Sequence, residues 1–438
     1  MVQDGAKCIW ILADYLERLN LKELILKNKK LISIILIAGV LFARCNLGLA
    51  LGAGYVMANI FFDGLAFLFC VFLMLDDKSR IKETLVNPAT IWLVIFAIIV
   101  FVYGHFHLRY AADYFSRQYM ILTMFPAVLL MIIVAYNTAD MLDILSISGT
   151  IVILTSLITS LCYDDVWSEW TEGMASRVGA TPAGTCTDTG NLVLVLLIPI
   201  FYQIIVNRRF KAYLWIALVG VFEIVATGSK SSVLPIVFVI AIMLLGAPDD
   251  KKTVRRNLII LIIIAVAGVA AIMLIPALYS IIGDRIVELI EGMSSTEFDL
   301  HTSTGQRMAV IAAFKEHFME YPIFGHGFYA FKEMAYSALE EYKENGQVLY
   351  RHIQIHMNYL ELLFSFGIFG FIAYYWFPVY EIIRTFKANK MAKLIVFSLM
   401  VSFFFMDLGI DMYYKYLLPY YSYLMAYCFI KNNPEKQA

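Results

Sequence analysis

Apolar residues fall along this chain in runs close to the roughly 20 residues a helix needs to cross a bilayer, and short polar stretches carrying most of the charge separate them. The runs lie near 31–51, 55–75, 88–105, 118–136, 141–163 and 189–206, then near 211–227, 231–247, 258–282, 356–383, 394–412 and 416–430. The pattern predicts an all-α, polytopic integral membrane protein of about 12 transmembrane helices. No polar half interrupts the series. The expected organisation is therefore a cytoplasmic N-terminal segment over 1–30, helices one to nine over 31–282, a large extracytoplasmic loop over 283–355, helices ten to twelve over 356–430, and a cytoplasmic tail over 431–438. Hydropathy does not distinguish a straight helix from a broken one, and Pro199, Pro235 and Gly228 mark places where a break would fit.

Composition agrees with this pattern. Hydrophobic residues make up 61% of the 438 and charged ones 16%, and a soluble fold cannot hide so much apolar surface. The placement of the cations sets the orientation. With the N-terminus inside, the inner segments hold 22 Lys and Arg against 6 in the short outer ones, so the N-terminus should be cytoplasmic. A formal net charge of -1, with the cations in short clusters between apolar runs, gives no case for nucleic-acid binding. The six cysteines form no CxxC pair, so neither a zinc site nor a disulfide scaffold is expected, although Cys162 and Cys186 border one external loop and pairing between them stays open.

The loop 283–355 is too long for a mere connection, and loops of that kind carry function. Within it, Arg307, Ile311, Phe314 and Phe318 recur at helical spacing, which predicts an amphipathic helix over 306–320 lying on the bilayer. Tyr321-Pro322 ends that helix. The turn Gly325-His326-Gly327 that follows is one whose amides would suit a phosphate. Arg351, His352, His356, Tyr359 and Glu361 gather at the mouth of the tenth span, and on a helix His352, His356 and Tyr359 would share a face. The HxxxH spacing lacks the Glu of a metalloprotease and a third ligand, so no metal or other cofactor is expected. Glu223, Lys230, Asp407 and Asp411 lie in or at the outer ends of spans, where ionisable groups are costly and so become functional candidates. Lys230 reads equally as an anion contact and as a snorkelling cation. Asp407 and Asp411 read as caps or ion-pair partners, with Lys415 in reach. Arg177 lies in the other external loop, 164–188, where Asp164-Asp165 lacks the further carboxylates of a cation cage.

Four stretches together resemble the O-antigen polymerase and O-antigen ligase superfamily of bacterial envelope glycosyltransferases. HMNYLELLFSFGIFGF, His356 to Phe371, is similar to the family's His-Asn-x-Tyr-Leu and Gly-x-x-Gly helix, with Met357 between His and Asn as in polymerase-like H-x-N/D-Y-L-E forms. Ser303 to Phe331 resembles the family's Gly-Arg, amphipathic helix, Pro and Gly-x-Gly series, with Gln306 separating Gly305 from Arg307. TGSKSS, Thr227 to Ser232, resembles a Gly-Ser-Arg segment with Lys230 in place of Arg, and Arg177 to Asn191 is loosely similar to a fourth stretch. The resemblance implies transfer of a glycan from a polyprenyl-diphosphate-linked donor to an acceptor sugar hydroxyl, at the extracytoplasmic face of the bacterial cytoplasmic membrane. It implies His356 as general base and Arg177, Lys230, Arg307 and Arg351 as diphosphate contacts, with His352, Tyr359 and Glu361 as further contributors. Membrane lipid, a chain-length regulator and a flippase would be its partners. Polymerase and ligase differ in the acceptor, and the H-x-N-Y-L-E form points to a polymerase that joins repeat units into O-antigen, capsular polysaccharide or exopolysaccharide; an O-antigen ligase is the alternative, and a lipid-linked oligosaccharide flippase or other transporter the alternative of another class.

Overall fold

The computed structural model describes residues 21–45, 54–106, 117–163, 178–179, 185–276, 279, 283, 287, 303–328, 330–331, 343–344, 347–348, 355–415 and 417–434. Helices occupy every predicted apolar run: α1 (Lys29–Cys45), α2 (Gly54–Asp76), α3 (Pro88–Phe106), α4 (Arg117–Ala135), α5 (Met141–Tyr163), α6 (Cys186–Ile205), α7 (Phe210–Thr227), α8 (Lys230–Gly246) and α9 (Lys251–Leu274). In the long loop lies α10 (Ser303–His317), and α11 (Asn358–Thr385), α12 (Lys390–Asp407) and α13 (Leu417–Asn432) complete the chain. A two-residue antiparallel pairing, Lys343–Glu344 with Gln347–Val348, is the extended element among the described residues. Among the described residues, six helices are long and apolar enough to cross a membrane, or seven if the bent pair at 78–85 and 88–103 forms one span.

Charged groups show which helix ends meet. Lys22 pairs with Asp76, Lys30 with Asp140 and Asp143, Arg209 with Asp143, Lys431 with Glu83 and Lys390 with Asp249. Asn389 Nδ2 donates to Asn433 Oδ1, which ties the last two of these segments together. Exposed ion pairs contribute little to stability, about 0–1 kcal/mol each. Their placement matters more: every one joins segments assigned above to the cytoplasmic side.

The core is aromatic where α3, α11 and α13 meet. Trp92 stacks on Phe377 at 4.9 Å and donates its indole N–H to the Tyr374 carbonyl at 2.8 Å, so the buried polar edge of the ring is satisfied.

α11 is not a straight rod. A straight helix would separate residues 358 and 375 by about 25 Å, yet Asn358 Nδ2 donates to the Tyr375 hydroxyl at 3.0 Å and the rings of Tyr359 and Tyr375 lie 5.2 Å apart. The hinge is Gly367, at φ 65° and ψ -167°, and the first arm, 358–366, doubles back beside the second. The turn after α10 fills the break. The amides of His326 and Gly327 donate to the Phe364 and Ser365 carbonyls at 2.8 and 3.0 Å, and those of Ile368 and Phe369 donate back to Pro322 and Ile323 at 2.9 and 3.0 Å. Two expectations change here. The His326 and Gly327 amides are spent on this clasp, and that of Gly325 on the Tyr321 carbonyl, rather than offered to a phosphate; α6 and α8 run through Pro199 and Pro235, Gly228 separates α7 from α8, and a further break falls at Gly367.

α10 also sits differently from the expectation. Its Val310 and Phe314 pack on Phe331, Ile355 and Phe364, so the apolar face is turned onto the protein instead of lying on lipid. His326 stacks on Phe364 at 4.2 Å, and burial holds its imidazole below the usual range, so the neutral ring donates Nε2–H to the His317 carbonyl at 3.0 Å. Cys162 and Cys186 are thiols and are not joined to each other.

Candidate functional site

The turn that follows α12 gathers the singled-out segments. Gly409 N–H and Ile410 N–H both donate to the Met406 carbonyl, at 2.9 Å, which curls the chain over the end of the helix. Arg307, in the first turns of α10, donates from Nη2 to the Gly409 carbonyl at 3.2 Å. A side chain begun on Gly409 would stand 3.3 Å from Ser231 Cβ, so the TGSKSS segment lies against the same turn. Asp411 accepts the Met357 N–H at 2.8 Å and so fixes the backbone directly after His356. Arg307, the Lys230 segment and His356 are far apart in sequence and come together on 408–411.

The Lys230 segment is held by its own hydroxyls. Gly228 ends α7 at φ 56°, and Ser229 starts α8 one residue before a half-buried Lys230. Ser229 and Ser231 hydroxyls lie 3.0 Å apart, and Ser231 donates to Asn191 Oδ1 at 2.9 Å, which docks the start of α8 on α6. Val178 N–H donates to the Ala226 carbonyl at 3.0 Å, and Thr189 Oγ1 donates to the Gly179 carbonyl at 2.8 Å. The residue after Arg177 is thus tied to the same place. Arg177, Arg351 and His352 themselves lie outside the described residues.

His356 has an exposed ring and a backbone at φ 51°, a left-handed conformation uncommon for a residue with a side chain. Such strain costs about 1–3 kcal/mol and persists where the surroundings hold it; here the Met357 amide bond to Asp411 and the start of α11 at Asn358 hold it. His356 precedes the helix and so does not share a helical face with Tyr359, and the expected third member, His352, lies outside the described residues. Tyr359 instead stacks among Tyr375, Phe371 and Phe404. Glu361 is buried and accepts from Ser365 Oγ at 2.7 Å and from the Tyr413 hydroxyl at 3.5 Å, so both residues are turned into the protein.

Asp407 and Asp411 act as acceptors, as expected of caps, but with partners that sequence spacing does not reveal. Asp407 Oδ2 accepts from the Tyr375 hydroxyl at 2.7 Å, and Asn358 accepts the Tyr413 N–H at 3.0 Å, closing the floor of the site. The starts of α6 and α8 and of the first arm of α11 all lie here, and the positive ends of helices favour anions. No group of three metal-ligating side chains occurs among the described residues.

The turn at 408–411 thus brings Arg307, the Lys230 segment and the residue after the strained His356 together beside the starts of three helices. Residues 215–375 match the O-antigen ligase family. That segment contains Lys230, Arg307 and His356, and across it this multi-pass membrane protein is similar to the O-antigen ligase family. No curated protein matches the chain.

Proposed function

We propose that this protein is a membrane glycosyltransferase that joins polyprenyl-diphosphate-linked oligosaccharide repeat units into a polysaccharide, outside the cytoplasm. The observation that carries the reading is the meeting of Arg307, the Lys230 segment and His356 around residues 408–411. In the reaction, the acceptor hydroxyl oxygen attacks the anomeric carbon of the donor as its proton passes to the His356 imidazole. The bond from that carbon to the diphosphate oxygen breaks and its electron pair leaves on the diphosphate. Arg307 and Lys230 offset the charge that builds there, with charge-assisted hydrogen bonds. Arg177 and Arg351 are the further cations proposed for it.

Twelve spans with the site outside are supported by two sets of contacts. The ion pairs described above link segments from both termini with 76–87, 137–143, 207–210, 248–257 and 384–393. The contacts of the site link 178–179, 227–232, 307, 357 and 408–411. Each set contains only segments placed on one side by the Lys and Arg bias. A cysteine placed at the exposed Lys315 should therefore react with an impermeant maleimide in whole cells. Labelling only after permeabilisation would contradict this orientation.

The family's description favours a ligase, which would pass the finished glycan to another acceptor, whereas the H-x-N-Y-L-E form at His356–Glu361 favours a polymerase. Product length separates them. Arg307→Ala should abolish long-chain glycan in cells while the protein still inserts, and Arg307→Lys should restore it only partly, since an ammonium lacks the two-pronged geometry of guanidinium. Normal long-chain glycan with Arg307→Ala would remove Arg307 from the site.

A further inference from the structure

The α1–α2 pair lies outside the family match and holds charge that the proposed chemistry does not use. Arg44, at the end of α1, is paired with Asp63 of α2, and both side chains are nearly enclosed. Asn59, one turn from Asp63 on the same face of α2, is 6% exposed. Among the described residues, three buried atoms of this group have no hydrogen-bond partner: Arg44 Nε, Asp63 Oδ1 and Asn59 Oδ1. Across from them, α6 packs on α1, and Asp188 lies within electrostatic reach of Cys45, the neighbour of Arg44. Asp188 Oδ1 and Asn191 Nδ2, on the first turns of α6, are also buried and unpartnered, and Asn191 is the residue that receives Ser231 of the Lys230 segment.

Buried polar atoms are nearly always satisfied, and each one left without a partner costs about 1–3 kcal/mol. In a membrane the penalty is not relieved by surrounding solvent. A buried ion pair is also a weak source of stability, because desolvation offsets the attraction. The open atoms define what would complete them. Three acceptors and two donors call for a ligand rich in groups that both donate and accept. A diphosphate offers no donors to Asn59, Asp63 and Asp188, and the charge of Arg44 is already matched. Sugar hydroxyls fit both needs.

We infer that the outer ends of α1, α2 and α6 form a carbohydrate site, distinct from the cationic one, which holds the glycan of a lipid-linked substrate through Arg44, Asn59, Asp63, Asp188 and Asn191. The inference rests on the glycosyltransferase reading, and α6 joins the two sites. Anion contacts at Arg307 and Lys230 take the diphosphate that every substrate of this class shares. The site at Arg44 reads the sugars, which differ from one polymer to the next, and it sits in the part of the chain that the family match does not cover.

The test measures binding of two probes to the purified full-length protein in nanodiscs: polyprenyl diphosphate alone, and the same lipid carrying the repeat-unit glycan. Asn59→Leu should weaken the glycan-bearing lipid about tenfold, as expected for loss of one hydrogen bond worth that factor, and leave polyprenyl diphosphate binding as in the wild type. Its unfolding temperature should hold or rise, because no existing partner is lost. The double variant Arg44→Met/Asp63→Leu keeps the shape of the pair without its charge, and it should show the same selective loss. Equal binding of the glycan-bearing lipid by wild type and both variants would overturn the inference, leaving water or helix packing as the role of these groups. Failure of the wild type to bind either lipid would overturn the functional reading and this site with it.

Discussion

Replacing His356 with alanine should lower turnover by about 100- to 10,000-fold, the usual loss for one general base, while the protein stays folded and inserted. The ring is exposed and its backbone is held from outside by Asp411 through the Met357 amide, so its removal takes away little packing. An imidazole titrates near neutral pH and accepts a hydroxyl proton without a large penalty. His356→Gln separates this role from hydrogen bonding alone, because an amide keeps similar size and polarity but does not take the proton. Both variants should accumulate carrier-linked single units. Near-normal turnover by His356→Gln would reject the base assignment and leave His356 as a cap.

Gly367→Ala should lose both glycan product and the folded protein. The hinge of α11 has φ 65° and ψ -167°, a region open essentially to glycine alone. A methyl group there would stand 2.3 Å from the Ile323 carbonyl oxygen and 2.6 Å from the Gly325 amide nitrogen. Backbone atoms held by four reciprocal hydrogen bonds do not yield as the end of a flexible side chain would. The strain alone costs about 1–3 kcal/mol, and the clash adds to it. Unfolding temperature in detergent is the measurement, with Gly64→Ala as the control, since nothing lies within 4 Å of a side chain at Gly64. A Gly367→Ala protein as stable and active as the wild type would contradict the clasp.

The helices were legible because a bilayer demands long apolar runs and the chain supplies them. The site was legible in part. Lys230, Arg307 and His356 stand out as polar groups beside apolar runs. The turn that assembles them does not, because Leu408 and Ile410 continue the apolar run of α12 and read as helix up to 412. Asp411 for the same reason reads as a cap, and its partner, the Met357 amide, is 54 residues away. The hinge at Gly367 was hidden inside an apolar stretch, where one glycine lowers helix propensity without announcing a reversal of direction. Gly325-His326-Gly327 shows the opposite case. Its glycines mark a left-handed turn correctly, but local sequence does not say whether its amides meet a phosphate or the broken end of another helix. Arg44 and Asp63 fall inside the apolar runs 31–51 and 55–75, where the sequence does not show that the two charges face each other.

The central claim is that the cations and histidine around residues 408–411 transfer glycan from a polyprenyl diphosphate without help from a cofactor. Purified protein reconstituted into vesicles with the lipid-linked repeat unit, in the presence of a metal chelator, tests it most directly. The wild type should produce a ladder of longer glycans on the carrier, and Arg307→Ala and His356→Ala should leave single units. No ladder from the folded wild type, or an equal ladder from Arg307→Ala, would contradict the account.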